Sequence, residues 1–147
     1  MRSRGGSQYG KQGAGKGGSS ERANIARRRL PLIEEGGLTF AVNFDDYLDV
    51  GIFLDHRVTR NLVREHAKQA RRFLNLFAYT GGATVACAKA GASVCHVDAA
   101  KGMVAWAKDN ARLSGLSDAP IRWIVDDCAK FVEREIRRGK TYDAIIM

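Results

Sequence analysis

Three short segments of this chain combine main-chain and side-chain groups that could bind a small polar ligand. The first covers residues 75–82, Asn-Leu-Phe-Ala-Tyr-Thr-Gly-Gly, between an apolar run and a helical pattern. Its paired glycines let the main chain approach a ligand closely, and a helix N-terminus offers free N–H groups to a carboxylate or phosphate. The spacing is not the G-x-G-x-x-G of a dinucleotide site, which disfavours a nicotinamide cofactor. Taken alone, the segment is better explained as a structural turn.

Acidic residues end the next two apolar runs. Asp98 lies about 20 residues past the first segment, the separation at which a carboxylate binds the ribose hydroxyls in nucleotide-binding βαβ units. At the Asp126-Asp127 pair, an acid can accept from an adenine amino group while the N–H of Cys128 donates to a ring nitrogen. Either acid could instead cap the helix that follows it. Three such segments in succession favour an adenosine-type ligand over three independent caps.

The other reactive residue types do not form a recognisable site. The three histidines lack the spacing of a metal site, and the three cysteines are an odd number without a C-x-x-C pair. We therefore expect no disulfide, no metal and no catalytic residue among them, with the cysteines buried as reduced thiols. Trp106 and Trp123 are interpreted as packing residues. The histidines and cysteines are His56, His66, His96, Cys87, Cys95 and Cys128.

Short strands and longer helices alternate after Arg71, which predicts an α/β fold. The predicted strands cover residues 73–77, 93–97, 121–125 and 142–147, and the predicted helices cover residues 83–90, 101–113 and 129–138. Glycines mark the three helix exits. This alternation predicts right-handed βαβ units and a parallel sheet covered on both faces. The three segments then lie at the carboxyl ends of the strands, where such sheets bind ligands.

A β-hairpin and a helix are predicted ahead of the sheet. Residues 30–35 and 38–44 flank Gly36-Gly37, a pair typical of a tight hairpin turn. Residues 45–55 are predicted as loop. Residues 57–70 show helical periodicity and are predicted as an amphipathic helix beside the sheet. The positions that define its inner face are Val58, Leu62, Val63 and His66.

The positive charge of the chain is concentrated at its N-terminus. Up to Arg29 there are eight basic residues against Glu21 alone, a charge of +7 out of a net +8. This Gly- and Ser-rich stretch has too little apolar surface to fold, so we predict a disordered tail or linker over residues 1–28. It could be an arm that binds phosphate backbones without sequence preference, or a linker that happens to be basic. Residues 29–70 are then a lead-in of hairpin and helix, and residues 71–147 are the N-terminal half of an α/β domain.

Length and composition narrow the class of protein. A chain of 147 residues with 45% hydrophobic content can bury one real core. It has no run of about 18 apolar residues, and its Arg- and Gly-rich start is unlike a signal peptide. We therefore expect a cytoplasmic protein without a membrane span.

Several of these segments together resemble a known family. Residues 73–82, the strand end at Asp98, the Asp-Asp-Cys turn and residues 142–147 (Tyr-Asp-Ala-Ile-Ile-Met) resemble bacterial class I methyltransferases that modify 23S ribosomal RNA. Residues 42–57 (VNFDDYLDVGIFLDHR) look like the signature preceding the C-terminal, guanine-N7 half of bifunctional large-subunit rRNA methyltransferases. The resemblance covers nearly everything from Leu30 onward. Its most specific parts are Y-T-G-G and F-L-D-H-R.

The resemblance implies S-adenosylmethionine as cofactor and 23S rRNA as partner. It implies that the loop from Asn75 to Gly81 surrounds the methionine moiety, the Asp98-Ala99 turn binds the ribose, and Asp127 with Cys128 binds the adenine. The loop around the methionine moiety includes Phe77, Tyr79 and Thr80. The general class I loop has glycine where this chain has Phe77 and Tyr79, although the rRNA subgroup shares that change.

The resemblance leaves open the roles of four residues near the start of the predicted helix, Phe53, Asp55, His56 and Arg57. Arg57 could reach the cofactor carboxylate or an RNA phosphate, or it could form an ion pair with Asp55 or Glu65.

The resemblance also implies a Rossmann-like fold, here incomplete, with four parallel strands. Family members follow the fourth strand with D-P-P, and this chain ends at Met147, where that motif should begin. We therefore expect an open edge at the fourth strand and weak or no activity from the chain alone.

The resemblance favours guanine N7 as the methyl acceptor, because its lone pair needs no general base. Cytosine C5, the acceptor in a sister family, needs a thiolate nucleophile. None of the three cysteines lies in a suitable loop, but such a cysteine could lie beyond Met147. A non-catalytic RNA-binding fragment is the alternative from another class.

Overall fold

The computed structural model describes residues 30–147, and the predicted tail lies outside these residues. The described chain begins with an antiparallel hairpin of β1 (Leu32–Glu35) and β2 (Leu38–Ala41). The two turn glycines, Gly36 and Gly37, have φ of 58° and 74°, the backbone that a two-residue hairpin turn requires. The predicted hairpin is confirmed, with both strands shorter than expected.

The segment between the hairpin and the first long helix is mostly irregular, as predicted, and ends in a single 3-10 turn at Leu54–His56. Helix α1 (Arg57–Ala67) follows directly and packs against helix α2 (Gly82–Lys89). The predicted helix is confirmed, although it ends three residues earlier than expected.

The predicted inner face of α1 is wrong at three of its four positions, since only Val63 packs against the core. Val58 and Leu62 are exposed, whereas Arg60 and Ala67 are buried and Val63 is half-buried. The physical reason is a long-range ion pair between Arg60 and Glu35 of the hairpin, which turns a charged residue toward the interior. Hydrophobic periodicity cannot anticipate a buried charge that is satisfied by another element.

The main sheet has four parallel strands in the order β5-β4-β3-β6. In the register of the central pairs, Asn75 lies opposite His96 on one side and opposite Ile146 on the other. Two further helices complete the βαβ alternation, so the predicted α/β class is confirmed. The strands are β3 (Arg72–Leu76), β4 (Ser93–Asp98), β5 (Ile121–Val125) and β6 (Ala144–Ile146), and the helices are α3 (Lys101–Leu113) and α4 (Cys128–Arg137).

Apolar side chains cover both faces of this sheet. On one face, the hairpin and helices α2 and α3 enclose a cluster that includes Phe40 and Val85. On the other face, Phe131 of α4 packs against Leu74 and Val97. Strand β2 is tied to α3, since Ala41 N donates to Asn110 Oδ1 at 2.9 Å. The lead-in hairpin is thereby part of the same core as the sheet.

The described residues offer neither a membrane span nor a metal site. No helix within residues 30–147 has the length and apolar character needed to cross a membrane. The same part of the chain has no group of three or more His, Cys, Asp or Glu side chains placed to bind a metal ion. All three cysteines are free and buried, as predicted.

Candidate functional site

The loop after β3 has an unusual backbone. Phe77, Tyr79 and Gly81 have φ of 50°, 52° and 82°. These values lie in the left-handed region, which residues other than glycine rarely adopt. Gly81 is the N-cap of α2, and a Cβ there would lie 2.8 Å from Cβ of Ala107. A side chain at Gly81 would therefore push α2 away from α3. The loop thus needs its final glycine for packing, while Phe77 and Tyr79 accept the strained conformation.

Asp98, at the end of β4, holds two main-chain groups. Its Oδ2 accepts from Tyr79 N at 2.9 Å, and its Oδ1 accepts from Ala100 N at 2.8 Å. Ala100 is the N-cap of α3, so the alternative that Asp98 caps this helix is wrong. Each carboxylate oxygen keeps a lone pair that could accept another hydrogen bond. Asp98 therefore joins two loops and can still bind a ligand, while its neighbour Ala99 is exposed.

The loop after β5 is joined to the same rim. Asp127 is the N-cap of α4 and accepts from Lys130 N at 3.0 Å, so its capping role is confirmed. The Sγ of Cys128 accepts from Phe77 N at 3.2 Å and lies 3.7 Å from Val97 O. The three segments singled out in the sequence thus meet at one edge of the sheet.

Two residues of the first segment direct their side chains inward. Asn75 Nδ2 donates to Thr84 Oγ1 at 2.9 Å, and Thr80 Oγ1 donates to the carbonyl of Gly51. Thr80 is only 2% exposed. These two side chains hold the loop in place, and both residues also line the cleft beside it.

His96 lies behind this loop and is fully buried. Its Nδ1 is 2.9 Å from Thr84 Oγ1, and its Nε2 has no hydrogen-bond partner within residues 30–147. Burial lowers the pKa of His96 to about 4, against the opposing influence of the Asp98 charge. The imidazole is therefore neutral at physiological pH. Its position inside a strand, next to Trp123 at 4.9 Å between ring centroids, indicates a packing role.

The three thiols are poorly suited to nucleophilic chemistry. Burial raises the pKa of Cys87 to about 12, and it also raises the pKa values of Cys95 and Cys128. A nucleophilic cysteine must be a thiolate, which these surroundings disfavour.

A cleft of about 280 Å³ opens beside the loop, between the ends of β3 and β6. Strand order reverses at this point, since β4 and β5 lie on one side of β3 and β6 lies on the other. Open α/β sheets bind ligands at such a switch point. Its lining includes Phe53, His56, Phe77, Tyr79 and Met147. A second, apolar hollow of about 690 Å³ runs along β6 and α4, lined in part by Ile136, Tyr142 and Ile145.

Three residues just before α1, Ile52, Phe53 and His56, form one wall of the cleft. The sequence did not predict that this segment contacts the loop after β3. Arg60 donates from Nε and Nη2 to both oxygens of Glu35 at 2.8 Å, and from Nη1 to the Phe53 carbonyl at 2.7 Å. The hydroxyl of Tyr79 donates to Asp49 Oδ1 at 2.8 Å. The available signal was the DVGIFLDHR stretch, but no local pattern paired it with Glu35 or Tyr79.

The ion pair considered for Arg57 is not formed with either suggested acid. Asp55 lies 3.9 Å from His56, and Glu65 forms its ion pair with Lys68 at 2.6 Å. Both contacts are solvent-exposed and local.

Comparison of this chain with known proteins shows the family to which it belongs. The family model for S-adenosylmethionine-dependent methyltransferases matches residues 26–147. This chain belongs to that family. It is 45% identical over 117 residues to the ribosomal RNA large subunit methyltransferase K/L of Methylococcus capsulatus, a match covering 79% of this chain and 16% of that protein. The chain therefore spans about one sixth of the length of the curated relatives it matches.

Solved structures of methyltransferases share the fold. A S-adenosylmethionine-dependent methyltransferase from Agrobacterium tumefaciens superposes with a TM-score of 0.75 at 42% identity, covering 81% of this chain and 40% of that one. A methyltransferase in complex with S-adenosylhomocysteine superposes with a TM-score of 0.74 at 35% identity, covering 80% and 31%. The Rossmann-like methyltransferase fold is thus confirmed, and S-adenosylmethionine is the cofactor of the family.

The rim of this chain has groups that fit such a cofactor. The first N–H groups of α2 have no side-chain cap, so they can receive a carboxylate. Asp98 offers acceptors to a diol, and the start of α4 offers N–H groups to a heterocycle. Carboxylate, diol and heterocycle are three of the polar parts of S-adenosylmethionine.

Proposed function

We propose that this chain holds S-adenosylmethionine for methyl transfer to 23S ribosomal RNA, with guanine N7 as the acceptor atom. The hydrogen bond from Tyr79 N to Asp98 supports this most directly, because it joins two of the three ligand-binding loops into one rim. The substrate class comes from the relatives, which are named ribosomal RNA large subunit methyltransferase K/L. The basic stretch up to Arg29, with a charge of +7, suits an RNA partner.

Each loop has a proposed part in binding the cofactor. The loop from Asn75 to Gly81 and the N-terminus of α2 receive the methionine carboxylate. Asp98 and the adjacent Ala99 receive the ribose, and Asp127 with the N–H of Cys128 receives the adenine. Asn75 and Thr80 act by shaping the loop, since their side chains bond internally.

The contribution of the protein to catalysis is orientation. When bound, the cofactor supplies an electrophilic methyl group on a sulfonium. The residues of the rim keep it in one pose, and the adjoining cleft at the end of β3 admits the acceptor. Orientation of this kind can supply about 7 kcal/mol or more.

The cysteines within this chain are consistent with N7 as the acceptor, because none of them is suited to methylation at cytosine C5. Methylation at C5 needs a thiolate nucleophile, whereas burial raises the pKa values of all three thiols. The N7 lone pair of guanine needs neither a nucleophile nor a general base. Burial lowers the pKa of His96 and makes it a weak proton acceptor, which is consistent with a reaction that needs no general base.

A tritium-transfer assay tests the proposal. The chain is incubated at high concentration with methyl-labelled S-adenosylmethionine and unmethylated 23S rRNA, and the RNA is digested to nucleosides. We expect slow transfer, with the label in 7-methylguanosine. Label in 5-methylcytidine would contradict the N7 assignment. Tight rRNA binding without cofactor binding in calorimetry would instead identify a non-catalytic RNA-binding module.

A further inference from the structure

The strained loop keeps two aromatic side chains at positions where the backbone favours glycine. Phe77 and Tyr79 both have φ near 50°. Such outliers persist only where the surrounding structure holds them, and they concentrate at functional sites. Each of these two side chains is therefore expected to have a role that a glycine could not fill.

Tyr79 is used within the protein. Its hydroxyl donates to Asp49 Oδ1 at 2.8 Å, and its ring lies 5.5 Å from that of Phe53. These contacts tie the loop to the segment before α1, which accounts for the side chain at this position.

Phe77 has no comparable internal use. The residue is 68% exposed, and no aromatic ring within residues 30–147 packs against its side chain. Its main chain is nevertheless held, since Phe77 N donates to Cys128 Sγ at 3.2 Å. A large apolar ring is thus presented at the cleft on a fixed backbone that would be less strained with glycine.

A second ring in the same cleft is also held in place. Phe53 is 47% exposed, and its carbonyl accepts from Arg60 Nη1 at 2.7 Å. Arg60 is itself fixed by its two hydrogen bonds to Glu35. The rings of Tyr79 and His56 lie 5.5 and 6.0 Å from the Phe53 ring and support it.

The chemistry of the cleft indicates a planar, polar occupant. Phe53 and Phe77 provide aromatic surface, while His56 and Thr59 in the same lining provide hydrogen-bonding groups. A volume of about 280 Å³ falls just below the range of about 300 to 1,000 Å³ typical of pockets for drug-sized ligands. It suits one ring system better than a whole nucleoside cofactor.

We infer that Phe77 and Phe53 form a stacking site for an unstacked nucleobase of the substrate RNA. Enzymes that modify a base remove it from its stack and hold it against aromatic side chains. Base stacking on aromatic residues tolerates any base, because every base has a π-face. The inference rests on the proposed function, and it assigns Phe77 to positioning the RNA and not to the chemical step.

The test uses a ten-nucleotide single-stranded RNA with one 2-aminopurine, whose fluorescence is quenched by stacking. Phe77→Gly removes the ring and relieves the strained backbone, so the variant should fold, as a thermal melt will verify. We expect it to weaken RNA binding about tenfold or more and to lose the quenching, consistent with measured base-aromatic stacking. Phe77→Trp should retain both, and Phe53→Ala should weaken binding similarly.

Phe44→Ala is the matched control, because Phe44 is a comparably exposed phenylalanine, 61%, outside the lining of this cleft. It should bind the RNA as the parent does. The inference is overturned if, with no S-adenosylmethionine present, Phe77→Gly binds the RNA and quenches the 2-aminopurine fluorescence like the parent. Phe77-dependent stacking in a parent chain that does not bind S-adenosylmethionine would support the stacking site and refute the methyltransferase proposal.

Discussion

The main-chain N–H of Tyr79 donates to Oδ2 of Asp98 at 2.9 Å, across 19 residues of sequence. This bond connects the loop that precedes α2 with the end of β4. One carboxylate thus sets the loop geometry and also faces the proposed ribose position. Changes at Asp98 should therefore affect binding more strongly than changes at an ordinary surface acid.

We predict that Asp98→Ala reduces S-adenosylmethionine affinity by at least tenfold. The substitution removes the acceptors for Tyr79 N and Ala100 N as well as those proposed for the ribose hydroxyls. Hydrogen bonds to charged groups contribute about 1.5 to 3 kcal/mol each. Isothermal titration calorimetry measures the effect, with Asp118→Ala in an exposed turn as control. Equal affinities for the two variants would remove Asp98 from the site.

Glu35→Ala is predicted to destabilise the fold strongly. It leaves the buried guanidinium of Arg60 without its bidentate partner, and breaking such a pair typically costs about 3 to 5 kcal/mol. Replacing both residues by methionine should cost less than the single change. Urea unfolding gives the free energies. Glu65→Ala, which breaks the exposed pair with Lys68, should leave the midpoint nearly unchanged, and a comparable loss there would contradict the assignment.

Stability should fall as the pH drops from about 6.5 to about 4. Burial lowers the folded-state pKa of His96 from 6.5 to about 4, so in this window the unfolded chain binds a proton that the folded chain does not. The contribution is fully present above pH 6.5 and lost progressively below it, by about 3 kcal/mol in total. Unfolding of the parent and of His96→Gln at several pH values isolates this effect from the carboxylates. Parallel pH profiles would refute it.

Gly51→Ala is predicted to destabilise by about 2 kcal/mol or more. A Cβ at Gly51 would lie 2.4 Å from the ring of Trp106, a buried side chain that cannot move aside, and its φ of 86° disfavours any side chain. Gly91→Ala is the control, since Gly91 also has a positive φ, 94°, but open space around its Cβ position. Thermal melts of both variants separate the steric effect from backbone strain. Equal shifts in Tm would show that contact with Trp106 is unimportant.

The alternation of elements could be predicted from the sequence because its signals are local. The bounds of Lys101–Leu113 and Ile121–Val125 match the expectation, since periodicity and the glycine at the helix exit act within a few residues. Parallel pairing and the convergence of the strand ends follow from that alternation. The position of Asp98 at the candidate rim could therefore be predicted from the sequence.

The partners of individual side chains were decided only by tertiary structure. The sequence does not indicate that Arg60 turns inward to Glu35, 25 residues away, or that Thr80 bonds to Gly51, because these contacts depend on how separate elements pack. The left-handed backbone at Phe77 is likewise held by Cys128, 51 residues further along. Local periodicity determines which elements form. A buried charge needs a partner from another element, and a strained turn needs long-range contacts that hold its backbone.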